Sequence, residues 1–185
     1  MATIQQRMTL DQFLALPEKK PALEFENGEV TQKVPPRGRH SALQEEICAL
    51  INTLAKPAKL ARAFPELRTT YAGFSRVPDI AVYLWDRIPR TANGIVADVF
   101  LEPPDIAVEI VSPKQSVNAL VRRCTWYVDN GVQIALLVDP DDQSVAVFRP
   151  GAEPIVCRGI DEIDLTAVLP GFHLTAGDLF ASLML

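Results

Sequence analysis

Three cysteines, Cys48, Cys124 and Cys157, stand far apart with no Cys-x-x-Cys spacing, so neither a disulfide framework nor a zinc centre is expected. Free thiols in a reducing cytoplasm are the expected state. No apolar run approaches the length of a membrane span, and Met1 to Arg7 lacks the apolar centre of a signal peptide. Strong positive charge is missing too. The net charge of −5 argues against non-specific nucleic-acid binding by the whole surface. There is no Gly-x-Ser-x-Gly elbow and no phosphate-binding glycine loop. With His40 and His173 as the only histidines, a Ser/His/Asp triad is a weak reading.

What is present is apolar and periodic. A chain of 185 residues is long enough for one domain with a substantial core, and residues 1–185 are read as that domain. The segment from Pro104 to Pro113 reads as a buried strand, in which Ile106, Val108 and Ile110 point one way. Asp105, Ala107, Glu109 and Val111 point the other. A carboxylate on a core strand is costly unless it is paired or bound to a cation. A near copy, Val77-Pro78-Asp79 followed by an apolar strand, lies upstream. Strands pair ~4.8 Å apart, so Asp79 can reach Glu109 from a neighbouring strand. Asp105, four residues from Glu109 and roughly 13 Å away, cannot share an ion with it and is a strand-start residue. Two such acids, with the carbonyl of Ile110, would suit Mg²⁺ or Mn²⁺. Equally, the two acids could be unrelated strand entrances paired to arginines.

Around these strands the chain alternates helix and strand signals. Thr9 and Gln12 have capping-box spacing for a short helix to about Leu16. Leu23 to Val30, with Glu24, Glu26 and the turn dipeptide Asn27-Gly28, reads as a hairpin. Ser41 and Gln44 suggest a second capping box, opening a helix with the stripe Leu43, Ile47, Leu50, Ile51 and Leu54. Glu46 flanks that stripe and His40 precedes it, both placed where the helix could contribute to a site on the sheet. A strand from Glu66 to Ala72 leads through Gly73 into the Val77 strand, and residues 86–100 form a surface excursion. Ser116 caps a third helix bearing Leu120, Cys124, Tyr127 and Val128, with Arg122 and Arg123 beside the stripe and Trp126 on its polar side. Strands at 133–138 and 144–148 and a short last helix from Thr175 or Ala176 complete a mixed α/β order with one parallel unit. Between Thr31 and Thr70 basic residues exceed acidic ones, seven to three, which is either a polyanion-facing surface or a solvated face.

The segments Glu24 to Glu29, His40-Ser41, Val77-Pro78-Asp79, Pro104 to Pro113, Tyr127 to Val132 and Leu137 to Pro140, in that order, resemble the Uma family of endonuclease-like proteins. The likeness runs from about Thr9 to Leu183. It implies membership of the PD-(D/E)xK nuclease superfamily: a restriction-endonuclease-like α/β core, here with an N-terminal hairpin. The mixed sheet would be flanked by helices. It further implies metal-dependent hydrolysis of DNA, with Asp79 and Glu109 as acids of the Pro-Asp and E-x-K motifs. Glu46 would be the acid of the first helix, with Glu24 and His40 in support. The superfamily lysine should stand two residues after Glu109, where this chain has Val111. Arg122 and Arg123 are the cations on the following helix, able to hold phosphate but poor as general bases. A module of the same fold that binds nucleic acid or a protein without cutting is the alternative, and an oligomerisation or scaffold module a third. Under any of them the chain is expected to form a homo-oligomer, a dimer.

Overall fold

The computed structural model describes residues 8–113 and 115–184. Its elements are α1 (Leu10–Leu14), β1 (Leu23–Glu26), β2 (Glu29–Gln32), α2 (Gly38–Ala55), β3 (Ala61–Pro65), β4 (Thr69–Tyr71), β5 (Phe74–Arg76) and β6 (Ile80–Leu84). A single 3₁₀ turn at Trp85–Arg87 precedes β7 (Ile106–Ile110), α3 (Val117–Asp129), β8 (Ile134–Asp139), β9 (Ser144–Phe148), β10 (Ile155–Arg158) and α4 (Ala176–Ala181). Six strands form one sheet in the order β10-β9-β8-β7-β6-β3, and four form a second in the order β2-β1-β5-β4. The mixed α/β architecture expected from the sequence is what the chain adopts.

The central strands follow from their residues. β7 and β8 run parallel, joined through α3, while β6 pairs with β7 antiparallel with Ile80 opposite Val108. Alternation sorts the β7 side chains: Ile106, Val108 and Ile110 pack with Leu43, Ile47 and Ile51 of α2. Ala107 packs on the other face with Leu120, Cys124 and Tyr127 of α3. Glu109 shares the α3 face. Continuing the β6–β7 register one step puts Asp79 across from Glu109.

The first hairpin turns at Asn27 and Gly28, with φ of 50° and 87°, the doubly positive turn that this dipeptide favours. The Thr9–Gln12 capping box is formed. Ser116 and Thr175 cap α3 and α4.

Four expectations are corrected. Helix α2 starts at Gly38 with Arg37 in the capping position, three residues before Ser41, so His40 lies in its first turn. The strand expected over 66–72 is shortened to β4 at Thr69–Tyr71, because β3 ends at Pro65 and Glu66 turns the chain with a positive φ of 50°. Ala72 and Gly73 then form the turn of the β4–β5 hairpin. Finally, Trp126 is not a free aromatic. That hairpin covers it, with Tyr71 and Phe74 ring centroids 5.3 and 4.5 Å away.

Candidate active site

Three carboxylates meet where β1, β6 and β7 approach the start of α3. Glu24, His40, Asp79, Glu109 and Arg123 line one cavity of about 120 Å³, together with Lys33. Each acid is buried and each is held differently. Asp79 Oδ1 accepts from Lys33 Nζ at 2.6 Å, and its Oδ2 accepts from the Ile110 N–H at 2.7 Å. His40 Nε2 lies 3.0 Å from the same Oδ2. These partners hold the Asp79 carboxyl down at about 2, against the upward push of burial.

Glu109 is held more weakly. Its Oε1 accepts from Tyr127 Oη at 2.7 Å and from Arg123 Nη1 at a long 3.4 Å. Burial raises its pKa, and the nearby Asp79 and Glu24 charges add to the rise. Glu24 takes most of the arginine: Arg123 Nη1 and Nη2 reach its two oxygens at 2.9 and 2.6 Å. The Val77 N–H also donates to Glu24, at 2.8 Å. Glu24 thus fixes both Arg123 and the backbone that leads into Asp79.

Lys33 is the residue that sequence reasoning missed. It follows β2, and its Nζ bridges Asp79 and Glu66, the latter at 3.1 Å. Asp79 and Glu109 push its pKa upward despite burial, so it stays an ammonium. One sequence signal existed, its place just past the hairpin that carries Glu24. Its distance along the chain from either acid hid it.

Two sequence candidates lie elsewhere. Glu46 does not line the cavity, and it is Gln44 of the same helix that reaches Asp79, donating to its carbonyl at 2.7 Å. Two residues along a helix, about 200° of rotation, separate the side chain that reaches the strand ends from the one that does not. Arg122 is exposed and lines a neighbouring cleft rather than this cavity, because consecutive helix residues diverge by about 100°. Ile110 contributes its N–H to Asp79. Asp105 is outside, fully buried against Arg87, Gln133 and the Leu84 N–H.

Among the described residues no three His, Cys, Asp or Glu side chains are grouped as a ready metal cage. The donor chemistry still suits a hard cation: Asp79 and Glu109 share the cavity with Glu24, and Glu109 Oε2 accepts no hydrogen bond among the described residues. Three acids face two fixed cations, Lys33 and Arg123. The carboxylates outnumber those two cations by one, an excess that a proton on Glu109 or a bound cation would offset. Asp79 would exchange part of its contact with Lys33 for the ion.

Divalent ion should therefore stabilise the fold by mass action. Millimolar Mn²⁺ is expected to raise the melting temperature of the wild type and to do much less for Asp79→Asn combined with Glu109→Gln. Equal responses would place the ion elsewhere.

A search of the curated proteins returned no match. A crystal structure described as "a putative nuclease belonging to DUF820", from Anabaena variabilis, is similar at 43% identity. The match covers 96% of this chain and 99% of that one, with a TM-score of 0.92. The family model Uma2, "Putative restriction endonuclease", matches residues 10–177. The chain belongs to the Uma2 family.

Proposed function

We propose that the protein is a Mg²⁺- or Mn²⁺-dependent endonuclease that hydrolyses DNA phosphodiester bonds. The observation that carries this reading is the Lys33 ammonium 2.6 Å from Asp79 in the cavity that also holds Glu109. It supplies, from just past β2, the cation that position 111 lacks. Asp79 and Glu109 are the ion's ligands in this reading, and the ion would polarise the phosphate and lower the pKa of a bound water. Lys33 lies beside Asp79, placed to stabilise charge on the phosphoryl oxygens or to orient the attacking water. Glu24 holds Arg123 against the cavity, and His40 holds Asp79. The protein works in the cytoplasm as a single domain, with no helix long and apolar enough to cross a membrane among the described residues.

The test is cleavage of plasmid and linear DNA with Mn²⁺, Mg²⁺ and EDTA, comparing wild type with Glu109→Gln purified identically. Product from wild type alone supports the reading. Product from both, or from neither with any DNA form and either ion, ends it.

The proposal also predicts a pH response. The raised Glu109 pKa means that the metal-free protein binds a proton there that the unfolded chain releases at lower pH. A raised carboxyl pKa costs stability once the pH exceeds the unfolded value near 4.5, and more as it climbs through the folded one. Glu109→Gln should therefore narrow the loss of metal-free stability as pH rises above about 4.5, read as melting temperature against pH. An unchanged profile would show that Glu109 does not set it.

A further inference from the structure

Beside the cavity lies a larger cleft of about 410 Å³ between the β1–β5 side of the small sheet and the start of α3. Glu26, Arg76, Gln115, Ser116, Arg122 and Trp126 line it, and Arg123 lines both spaces. Its basic residues come from two elements: Arg76 from β5, Arg122 and Arg123 from α3. Ser116 caps the 13-residue α3, so the positive end of that helix opens at the same place.

Arg76 is the independent observation. It is 4% exposed, on the cleft wall, and among the described residues has one ion pair, Nη2 to Glu26 at 2.8 Å. Its Nε and Nη1 are buried and have no hydrogen-bond acceptor among the described residues. Its guanidinium lies 4.2 Å from the Trp126 ring, which holds it as a cation without supplying an oxygen. Buried donors without acceptors are costly, and the one ionic partner, Glu26, is half-exposed. A ligand oxygen that took the place of Glu26 at Nη2 would pair the guanidinium from the cleft side.

We propose that this cleft binds a backbone phosphate of the nucleic acid next to the one that is cut. The inference rests on the nuclease reading for its substrate, but not on catalysis. Arg76 and Arg122 contact that phosphate, and the start of α3 adds favourable field. Arg123, on the wall between the two spaces, links the bound strand to the catalytic cavity. Phosphate contacts of this kind position a strand without reading its bases.

The experiment measures binding without cutting: fluorescence anisotropy of a labelled DNA duplex and single strand in EDTA, at several salt concentrations. Wild type is compared with Arg122→Ala, which is exposed and should fold normally, and with Arg76→Gln, whose folding is checked by thermal melting. Arg122→Ala is expected to weaken binding about tenfold and to shallow the dependence of log Kd on log salt by about one contact. Glu109→Gln, in the same assay, is expected to bind as wild type or more tightly. Inorganic phosphate at up to tens of millimolar is the control ligand. Equal affinity for wild type and Arg122→Ala with unchanged salt slope would overturn the inference, even with cleavage intact. Should Arg76→Gln melt far lower and Arg122→Ala bind as wild type, Arg76 is a structural cation and the cleft carries no phosphate. Loss of binding with cleavage absent in every form would leave a phosphate cleft on a protein that does not cut.

Discussion

Lys33→Met should lower Mn²⁺-dependent DNA cleavage by a factor of about 10² to 10³, the loss seen when one charge-stabilising donor leaves an active site. Methionine keeps the length and removes the ammonium, so packing at the cavity mouth is retained. The loss of turnover is expected to exceed the loss of affinity, since the ammonium acts on charge that develops during reaction. Stability is a second readout. Removing Lys33 leaves the buried Asp79 with His40 and the Ile110 N–H alone, so its carboxyl should rise from about 2. A lowered folded-state pKa gives stability above the unfolded value near 3.8 that is lost as pH falls through the folded one. Lys33→Met should therefore weaken the acid-side resistance of the fold, moving the onset of acid unfolding toward higher pH. Full activity in Lys33→Met would show that this lysine only pairs with Asp79. Lys33→Arg, which keeps charge with a different fork, should recover the acid resistance more fully than the rate.

Much of the fold was legible because period and punctuation agree with it. Asn27-Gly28 marks the hairpin, Ser116 and Thr175 mark helix starts, and the Ile106–Ile110 alternation sorts its side chains onto the two faces that α2 and α3 cover. The pairing of Asp79 with Glu109 followed from two similar strands. What failed depended on contacts between distant segments. The strand break at Glu66 is a backbone choice of positive φ that no alternation displays, and the second sheet arises because β5 pairs with β1 across about fifty residues. Trp126 looked free because its own helix puts it on the polar side, and only the β4–β5 hairpin covers it. Lys33 was invisible for the same reason. A lysine after a hairpin reads as surface charge until Asp79, 46 residues on, folds beside it.

Glu109→Gln should abolish cleavage to background while leaving the fold standing, since the amide keeps the shape and a hydrogen bond from Tyr127. Loss of an ionic ligand should remove at least a hundredfold of the rate, because the remaining acid, Asp79, is already engaged by Lys33 and His40. The size of the effect decides between the two ways of reading the cavity. If Glu109 is a metal ligand, titration with Mn²⁺ should show a weaker metal-induced rise in melting temperature for Glu109→Gln than for wild type. If it is an ordinary buried acid, relief of the repulsion from Asp79 and Glu24 should be the only effect on stability, with the metal response unchanged. Tyr127→Phe is the companion variant. It deletes the hydroxyl that holds Oε1 at 2.7 Å, frees Glu109 to move, and is expected to lower turnover several-fold at constant stability. A Tyr127→Phe protein with wild-type turnover would show that the carboxylate is held by Arg123 alone.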